Sequence, residues 1–408
     1  MKRKLMRRSC FSMLILLALG CLASCGDDAE GRIEINDGAP AQVSNVQSSS
    51  GPGEVYLSWN IPASSSFMYA KVEYTNSKGE ERYILLSKER ADDNGVMKTT
   101  VSGFANTDPV EFSIYACSVR GNNMGAQKVT ATPGTPAYIL MLNSVEVEPA
   151  NGGVNVSWKN ESVAPVTILL AYQAKEDASR AGTTKFQVSG GSEGTRFVSL
   201  AYGSGDILAG DCVVNVATQD AEENTSEMKR YEPQLPNVQR LDRSGWTVPG
   251  FADTYDPAIG YSSQEAGGEG AYPNGRVMAL FDGNEGSFWH TAWKQASAYP
   301  HFVIVDMGKD IEISLVSLRR RTGNNGTHKG QTFYTCTDAK AGNKADPASW
   351  AWEEQGAFSF DPNTDAYQFY QLRSPQKARY LKVFFSEADQ GNSAFVMLSE
   401  LNIYGIAE

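Results

Sequence analysis

Apolar and polar residues alternate in two segments that lie about a hundred residues apart in the chain. The segments "GEVYLSWNIP" at 53–62 and "GGVNVSWKNE" at 152–161 align with their tryptophans, Trp59 and Trp158, in register. Further on, "VEFSIYACSVRGNNMG" and "GDCVVNVATQDAEENT" also alternate, and each ends in a polar turn. A period of two over short runs is typical of half-buried β-strands. The repeat therefore predicts two β-sandwiches in tandem, at 41–134 and 138–233.

The last third of the chain contains five more strand-like runs and no convincing amphipathic helix. They are "HFVIVDMG" (301–308), "ISLVSLRRR" (313–321), "QTFYTCTD" (331–338), "ARYLKVFFS" (378–386) and "LSELNIYG" (398–405). Turns rich in Gly, Asn, Asp and Pro bound these runs, as in large sandwiches and jelly rolls. We predict an all-β protein, in which a jelly-roll β-sandwich over 238–407 follows the two smaller sandwiches.

The first 24 residues differ from the rest. Five basic residues precede an apolar run from Phe11 to Leu19, which is typical of a signal peptide and too short to span a bilayer. No other segment reaches about 18 apolar residues, so we expect no transmembrane helix after processing. Loss of these five basic residues, with no acidic ones, changes the formal charge from −11 to −16. Such a charge disfavours nucleic acid and anionic lipid as partners and leaves neutral ligands open.

The chain has six cysteines. Three of them lie well after the signal region: Cys117, Cys212 and Cys336. They lie far apart and form no C-x-x-C or Cys/His cluster, and this spacing argues against a zinc site or a disulfide framework. We expect each to sit as a small apolar residue in a separate core.

The end of the signal region, Leu22-Ala23-Ser24-Cys25, resembles the lipobox of bacterial lipoproteins. The resemblance implies that Cys25 is acylated, and each buried methylene of its lipid would contribute about 0.8 kcal/mol to anchoring. The alternative is ordinary secretory cleavage beside an incidental cysteine. Acidic residues after Cys25 resemble the surface-export signal of lipoproteins in glycan-foraging gut anaerobes. We therefore expect an outer-membrane lipoprotein exposed on the cell surface, with 1–24 as signal peptide and 25–40 as flexible linker.

The two repeated segments resemble fibronectin type III domains, and residues 238–407 resemble a discoidin domain, also called the coagulation factor five/eight type C fold. The discoidin resemblance lies in "SGWTV", the block "DG" followed by "SFWHTAW", "FVIVDMG", "RYLKV" and the closing "SELNIYG". Within that fold the chain looks most like the family 32 carbohydrate-binding modules. The whole layout resembles surface glycan-binding proteins of polysaccharide-utilisation systems.

The stretch "FDGNEGSFWHTAW" at 281–293 concentrates the candidate chemistry. Its polar turn, Asp282-Gly283-Asn284, offers the oxygen ligands that Ca²⁺ prefers. The alternative is a turn held only by bonds from aspartate to the backbone. The discoidin resemblance implies a structural calcium ion with five ligands: the Leu280 carbonyl, Asp282, Asn284, Ser287 and Glu400.

The same resemblance implies a sugar site on His290 and Trp293. It adds Arg321, an amide from Asn324 or Asn325, and a second aromatic face from Phe395. An aromatic face stacks on the apolar side of a pyranose, while His, Arg and Asn hydrogen-bond its hydroxyls. Trp289 and His290 alternate, so one should point to the core and the other to the rim. The alternative is that Trp293 packs internally and that the arginines at 319–321 only end a solvated strand.

These features favour a non-catalytic surface lipoprotein that binds an oligo- or polysaccharide, with the sandwiches as spacers. The partners it implies are other outer-membrane glycan-uptake proteins. One alternative is an adhesin for host protein or lipid, and another is an accessory part of a glycoside hydrolase system. No acidic pair stands in a recognisable catalytic pattern, so we do not expect an enzyme. The Gly-rich loop "EAGGEGAYPNG" at 265–275 lacks the Lys-Ser/Thr and the helix of a phosphate site.

Overall fold

The computed structural model describes residues 36–294, 298–323, 327–389 and 394–406. Strands and turns make up most of this chain, which confirms the predicted all-β fold class. Within these ranges no helix has the length and hydropathy needed to cross a membrane. The chain divides into two compact units, and the second sandwich and the C-terminal domain belong to the same one.

The first sandwich has a three-stranded sheet in the order β1-β2-β5 and a four-stranded sheet in the order β4-β3-β6-β7. Its strands are β1 Ser44–Gly51, β2 Glu54–Asn60, β3 Tyr69–Thr75, β4 Glu81–Ser87, β5 Val96–Ser102, β6 Val110–Cys117 and β7 Ala126–Ala131, with one 3-10 turn at Lys88–Arg90. Trp59 is fully buried between the sheets, as its place in the alternating pattern predicts.

Residues just before the first sandwich pack against it. The Oδ1 atom of Asp37 accepts hydrogen bonds from the Ser118 hydroxyl at 2.6 Å and from the backbone N–H of Arg120 at 3.1 Å. Pro40 is buried. The expected flexible linker over 25–40 therefore does not reach its predicted end, because these contacts hold 37–40 in place. The signal peptide and Cys25 lie outside the described residues.

The second sandwich repeats this plan with sheets in the orders β11-β10-β15-β16 and β12-β9-β8. Its strands are β8 Glu146–Ala150, β9 Gly153–Lys159, β10 Val166–Ala174, β11 Ala181–Val188, β12 Glu193–Ser199, β13 Ala201–Tyr202, β14 Asp206–Ile207, β15 Gly210–Gln219, β16 Lys229–Tyr231 and β17 Gln234–Leu235. Trp158 is only partly buried at the margin of this core, edge-on to Phe186 at 5.5 Å.

A short helix, α1 at Ala137–Ser144, precedes the second sandwich and was not predicted. Its sequence "AYILMLNS" is apolar on nearly every side, so it lacks the periodicity that would identify a surface helix. Tyr138 and Met141 are buried in the core of the sandwich, and this packing stabilises two turns that would be marginal alone.

The C-terminal domain is built on one sheet in the order β18-β24-β20-β23-β21-β22, with β19 paired to β24. Its elements are β18 Gln239–Arg240, a 3-10 helix at Val277–Phe281, β19 Trp289–His290, β20 His301–Arg320, β21 Gly330–Cys336, a 3-10 turn at Pro347–Ser349, β22 Glu353–Ser359, β23 Gln368–Phe385 and β24 Met397–Gly405. Two predicted strands, at 301–308 and 313–321, are halves of the single long strand β20.

Register shifts divide β20 between Asp306 and Ile311 and again between Ile313 and Leu315. An extra residue in one strand of an antiparallel pair bends it and moves the following side chains to the other face. Val303 and Val305 before the shifts, and Val316 and Leu318 after them, all enter one core. The sheet therefore wraps around a single core, which is the sandwich arrangement expected for this domain.

A buried seam joins the second sandwich to the C-terminal domain. Its cluster contains Ile207, Val238, Leu315 and Tyr404, and the Tyr404 hydroxyl donates a hydrogen bond to the carbonyl of Gly205. The connecting segment takes part in the packing on both sides. Along it Leu235 is buried in the core of the sandwich, Val238 in the seam and Leu241 in the core of the C-terminal domain.

The cysteines Cys117, Cys212 and Cys336 are free and buried, each in a different domain, as their spacing predicts. Burial raises the pKa of Cys212 to about 11, so this thiol stays protonated and behaves as an apolar group.

Candidate functional site

Two elements position the candidate sugar site: strand β19 and the Gly-rich loop at 265–275. Trp289 points into the core, where its indole N–H donates to the carbonyl of Ser263 at 3.0 Å. The next residue, His290, therefore faces the other way. The backbone N–H of His290 donates a hydrogen bond to the carbonyl of Gly275. The carbonyl of His290 accepts one from the backbone N–H of Glu265 at 2.8 Å. These bonds attach the Gly-rich loop to β19.

His290 is buried rather than rim-exposed, with 6% of its surface accessible. Its Nδ1 lies 2.6 Å from the carbonyl of Thr291, and only an N–H can donate to that oxygen. Burial lowers the pKa of His290, although this hydrogen bond and the charge of Glu269 oppose the effect. The ring is therefore neutral at pH 7, and its Nε2 carries a lone pair that can accept a hydrogen bond from a ligand hydroxyl.

Glu269, which no sequence pattern identified, lies at the centre of the site. Its Oε1 accepts from the indole N–H of Trp293 at 3.0 Å and lies 3.9 Å from Nε2 of His290. Its Oε2 lies 3.3 Å from Nη1 of Arg321. One carboxylate thus brings together His290, Trp293 and Arg321, which the sequence analysis had assigned to a common site.

Glycine is required in this loop at Gly268. A Cβ atom there would stand 2.4 Å from Cζ2 of Trp293 and 2.7 Å from Oε1 of Glu265. Its absence lets the indole lie against the loop backbone and reach Glu269. Close packing explains Gly268, and a positive φ of 87° explains Gly270. The two glutamates of this loop, Glu265 and Glu269, are the chemical signal that sequence reasoning missed.

Glu265 fixes the turn that carries Trp293. It is fully buried, and its Oε2 accepts from the backbone N–H groups of Trp293 at 3.1 Å and Lys294 at 3.2 Å. Although burial opposes the change, these two N–H groups lower the pKa of Glu265. The carboxylate therefore stays ionised and holds the turn in position.

Trp293 is accessible over 41% of its surface, so it does not pack internally. Phe395 lies beside His290, with ring centres 5.2 Å apart and planes at 52°. The carbonyl of Phe395 accepts from the Tyr299 hydroxyl at 2.7 Å, which holds this loop. The site thus has an exposed aromatic face and a second ring beside the histidine. Asn324 and Asn325 lie outside the described residues.

The arginine run at 319–321 is not a solvated strand end. Arg319 and Arg320 are buried and pair with Glu285 at 3.3 Å and Asp365 at 2.7 Å. The guanidinium carbon of Arg321 lies 3.6 Å from the centre of the Phe288 ring. Only Arg321 of the three contacts Glu269, so it is the arginine available to a ligand at this site.

Three of the predicted calcium ligands, Asp282, Asn284 and Ser287, lie in one hydrogen-bonded turn apart from the sugar site. The Ser287 hydroxyl donates to Oδ2 of Asp282 at 2.6 Å and contacts the carbonyl of Asn284 at 2.8 Å. Glu400 is buried, and its Oε2 accepts from Arg243. Burial raises the pKa of Glu400 to about 6; Arg243 opposes this rise, and the charge of Asp282 adds to it.

One oxygen atom among the predicted calcium ligands fits a hard cation. Oε1 of Glu400 is buried without a hydrogen-bond partner among the described residues, and a cation would satisfy it. Within the same residues no group of three or more His, Cys, Asp or Glu side chains is placed to hold a metal ion. A calcium ion here would therefore depend on Asp282 and Glu400 for charge and on Leu280, Asn284 and Ser287 for neutral oxygens.

Comparison with known proteins identifies the C-terminal domain. Residues 259–401 match the family described as F5/8 type C domain, and residues 40–133 match a domain of unknown function, DUF4959. The chain therefore carries an F5/8 type C, or discoidin, domain, as its motifs indicated. The family matched by the first sandwich has no assigned role, so the likeness to fibronectin type III remains a resemblance.

A sialidase of Micromonospora viridifaciens is 42% identical over 55 residues, which are 13% of this chain and 8% of that protein. Among solved structures, the C-terminal domain of a chitobiase from Bacteroides fragilis is 28% identical, with 40% of this chain and 95% of that chain covered and a TM-score of 0.33. A family 32 carbohydrate-binding module from C. perfringens, in complex with galactose, is 20% identical, with 41% and 98% covered and a TM-score of 0.30. A SusE-like protein is 15% identical, with 66% and 99% covered and a TM-score of 0.32.

Proposed function

We propose that this protein binds glycan without catalysis, through the F5/8 type C domain, at the site formed by Glu269, His290, Trp293 and Arg321. The observation that carries the proposal is the exposed indole of Trp293, held against Glu269 beside a neutral histidine and an arginine. The indole face suits the apolar side of a pyranose. The carboxylate, imidazole and guanidinium offer acceptors and donors for its hydroxyls.

Hydrogen bonds within the protein hold Trp293 in place without a ligand. Glu265 holds the turn of Trp293 and Glu269 holds its indole, so little side-chain freedom remains to be lost on binding. Each of the site's two carboxylates accepts hydrogen bonds from the protein, Glu265 from two backbone N–H groups and Glu269 from the indole of Trp293.

We extend the proposal to the rest of the chain. Cys25 carries the lipid, the protein is displayed on the outer surface of the cell, and the sandwiches hold the binding domain away from the membrane. A calcium ion bound by Asp282 and Glu400 stabilises the loop next to the sugar site. Other outer-membrane proteins of glycan uptake are the expected neighbours.

A glycan array probed with the purified protein tests this function. Binding to a defined set of glycans, followed by recovery of those glycans at unchanged chain length after long incubation, is the expected result. Shortened chains would contradict a non-catalytic role. Failure on the array combined with binding to host proteins or lipid vesicles would instead favour an adhesin.

A further inference from the structure

A groove of about 630 Å³ lies beside the seam, between the second sandwich and the C-terminal domain. Strands β11 and β12 form one wall, and residues 359–370 form the other. Both strands are the outermost of their sheets, so among the described strands neither is hydrogen-bonded to a further strand on this side. Phe197 and Phe369, one from each wall, pack against the seam cluster, which holds the two walls together. Its volume is within the range of small-ligand sites, and boundaries between domains are common places for them.

Aromatic rings line the groove from both walls. Phe186 and Phe197 come from the sandwich, and Tyr367 and Phe369 come from the C-terminal domain. Phe197, Tyr367 and Phe369 are only half-buried, so each keeps part of its ring surface accessible. The hydroxyl of Tyr367 donates to Glu285 at 3.0 Å, which fixes that ring. Rings held in this way can stack on flat apolar surfaces such as those of pyranoses.

Two cations stand on the sandwich wall, Lys185 on β11 and Arg196 on β12. Both are exposed, and neither forms an ion pair with a described residue. The guanidinium carbon of Arg196 lies 4.9 Å from the centre of the Phe186 ring, which orients its N–H groups. Asp361, on the opposite wall, already accepts from the backbone N–H of Asn363 at 2.9 Å. The lining of the groove therefore carries two positive formal charges and one negative, on a chain whose formal charge is negative.

We propose that this groove is a second glycan-binding site, which takes a sugar residue bearing an anionic group, with Lys185 and Arg196 as the contacts to that group. Guanidinium and ammonium groups make their strongest hydrogen bonds to carboxylate or sulfate oxygens. The aromatic rings serve the remainder of the sugar. The second sandwich is then part of a binding surface in addition to any spacing role. This inference rests on the proposed function in one respect only, namely that the ligand is a glycan.

Calorimetric titration in a Trp293→Ala background separates the two sites. The probes are a galacturonate tetrasaccharide, a heparin-derived tetrasaccharide and a neutral galactose tetrasaccharide, each at low and at physiological salt. We expect at least one anionic probe to bind the Trp293→Ala protein, less tightly at higher salt. Adding Arg196→Ala and Lys185→Ala should weaken that binding by roughly tenfold or more. The matched control is Arg373→Ala, which removes an exposed arginine of the C-terminal domain away from the groove.

The results of these titrations test the groove and the Trp293 site separately. The galacturonate and heparin arms show whether carboxylate or sulfate is the anion, and loss of binding specific to Lys185 and Arg196 supports the groove in either case. If no anionic probe binds the Trp293→Ala protein while the parent binds glycan, the groove proposal is overturned and the proposed function stands. If Arg196→Ala and Lys185→Ala bind like the control, it is also overturned, and the cations serve to protect two open strand edges. Groove-dependent binding without any effect of Trp293→Ala would overturn the first site alone.

Discussion

Replacing Trp293 with alanine should weaken glycan binding by a factor that follows from the exposed area of the indole. A tryptophan side chain presents at most about 250 Å², and the accessible 41% of this one corresponds to roughly 100 Å². A sugar that covers between half and all of that area gains about 1.3–2.5 kcal/mol at ~25 cal/mol per Å². The dissociation constant should therefore rise roughly ten- to seventy-fold, from a micromolar-to-millimolar range that is already weak.

Two further variants isolate the stacking contribution. Trp293→Phe keeps an aromatic face but leaves Oε1 of Glu269 without its indole donor, so its loss should be smaller than that of Trp293→Ala. Tyr83→Ala removes an aromatic ring that is 63% exposed in the first sandwich, and it should leave affinity unchanged. Titration calorimetry against a glycan identified on the array gives the three values, with melting curves as a check on folding. A folded Trp293→Ala protein that binds within about twofold of the parent would refute the stacking argument.

Three other predictions concern the lipid anchor, the metal and one buried histidine. Cys25→Ala should move the protein from the membrane to the soluble fraction, because about 0.8 kcal/mol per acyl methylene is lost; an unchanged membrane fraction would contradict acylation. Chelator should lower the melting temperature of the parent but not of Asp282→Ala, and this response should fade below pH 6 as Glu400 protonates, since burial raises its pKa to about 6. Elemental analysis distinguishes absent calcium from calcium that resists removal. Burial lowers the pKa of His328 to about 3, so the folded state loses stability as pH falls below about 6.5, on the order of 3 kcal/mol by pH 4. His328→Gln should give a shallower dependence of melting temperature on pH, and an equal slope would show that this ring does not titrate.

The strands were predictable because their signal is local. Alternation around Trp59 and Trp158 and the turns that follow each run determine where β2 and β9 lie, and both strands occur within the segments that the pattern identified. The division of β20 was predicted wrongly for a related reason. Residues 308–310 resemble a turn, and only the pairing with β23 shows that the chain continues through a bulge.

The candidate site was predictable only in part, because its contacts join distant segments. Glu269 lies 24 residues before its hydrogen-bond partner Trp293, and nothing in the intervening sequence shows that the loop folds back on β19. The burial of His290 has the same origin, since Phe395 covers it from a loop near the end of the chain. Residue type identified the histidine, tryptophan and arginine as candidates. The carboxylate that unites them required the tertiary structure.

The segment from Leu235 to Leu241 has the length of an interdomain linker but contributes one side chain to each of three successive buried clusters. A hinge there would have to withdraw Val238 from the seam, so bending is opposed by the same burial that stabilises the two domains. The second sandwich and the C-terminal domain should consequently tumble in solution with a single rotational correlation time. A glycan held at Trp293 would then be presented at a constant angle to the sandwich, and its direction of approach would be set by the protein rather than by diffusion of a tethered domain.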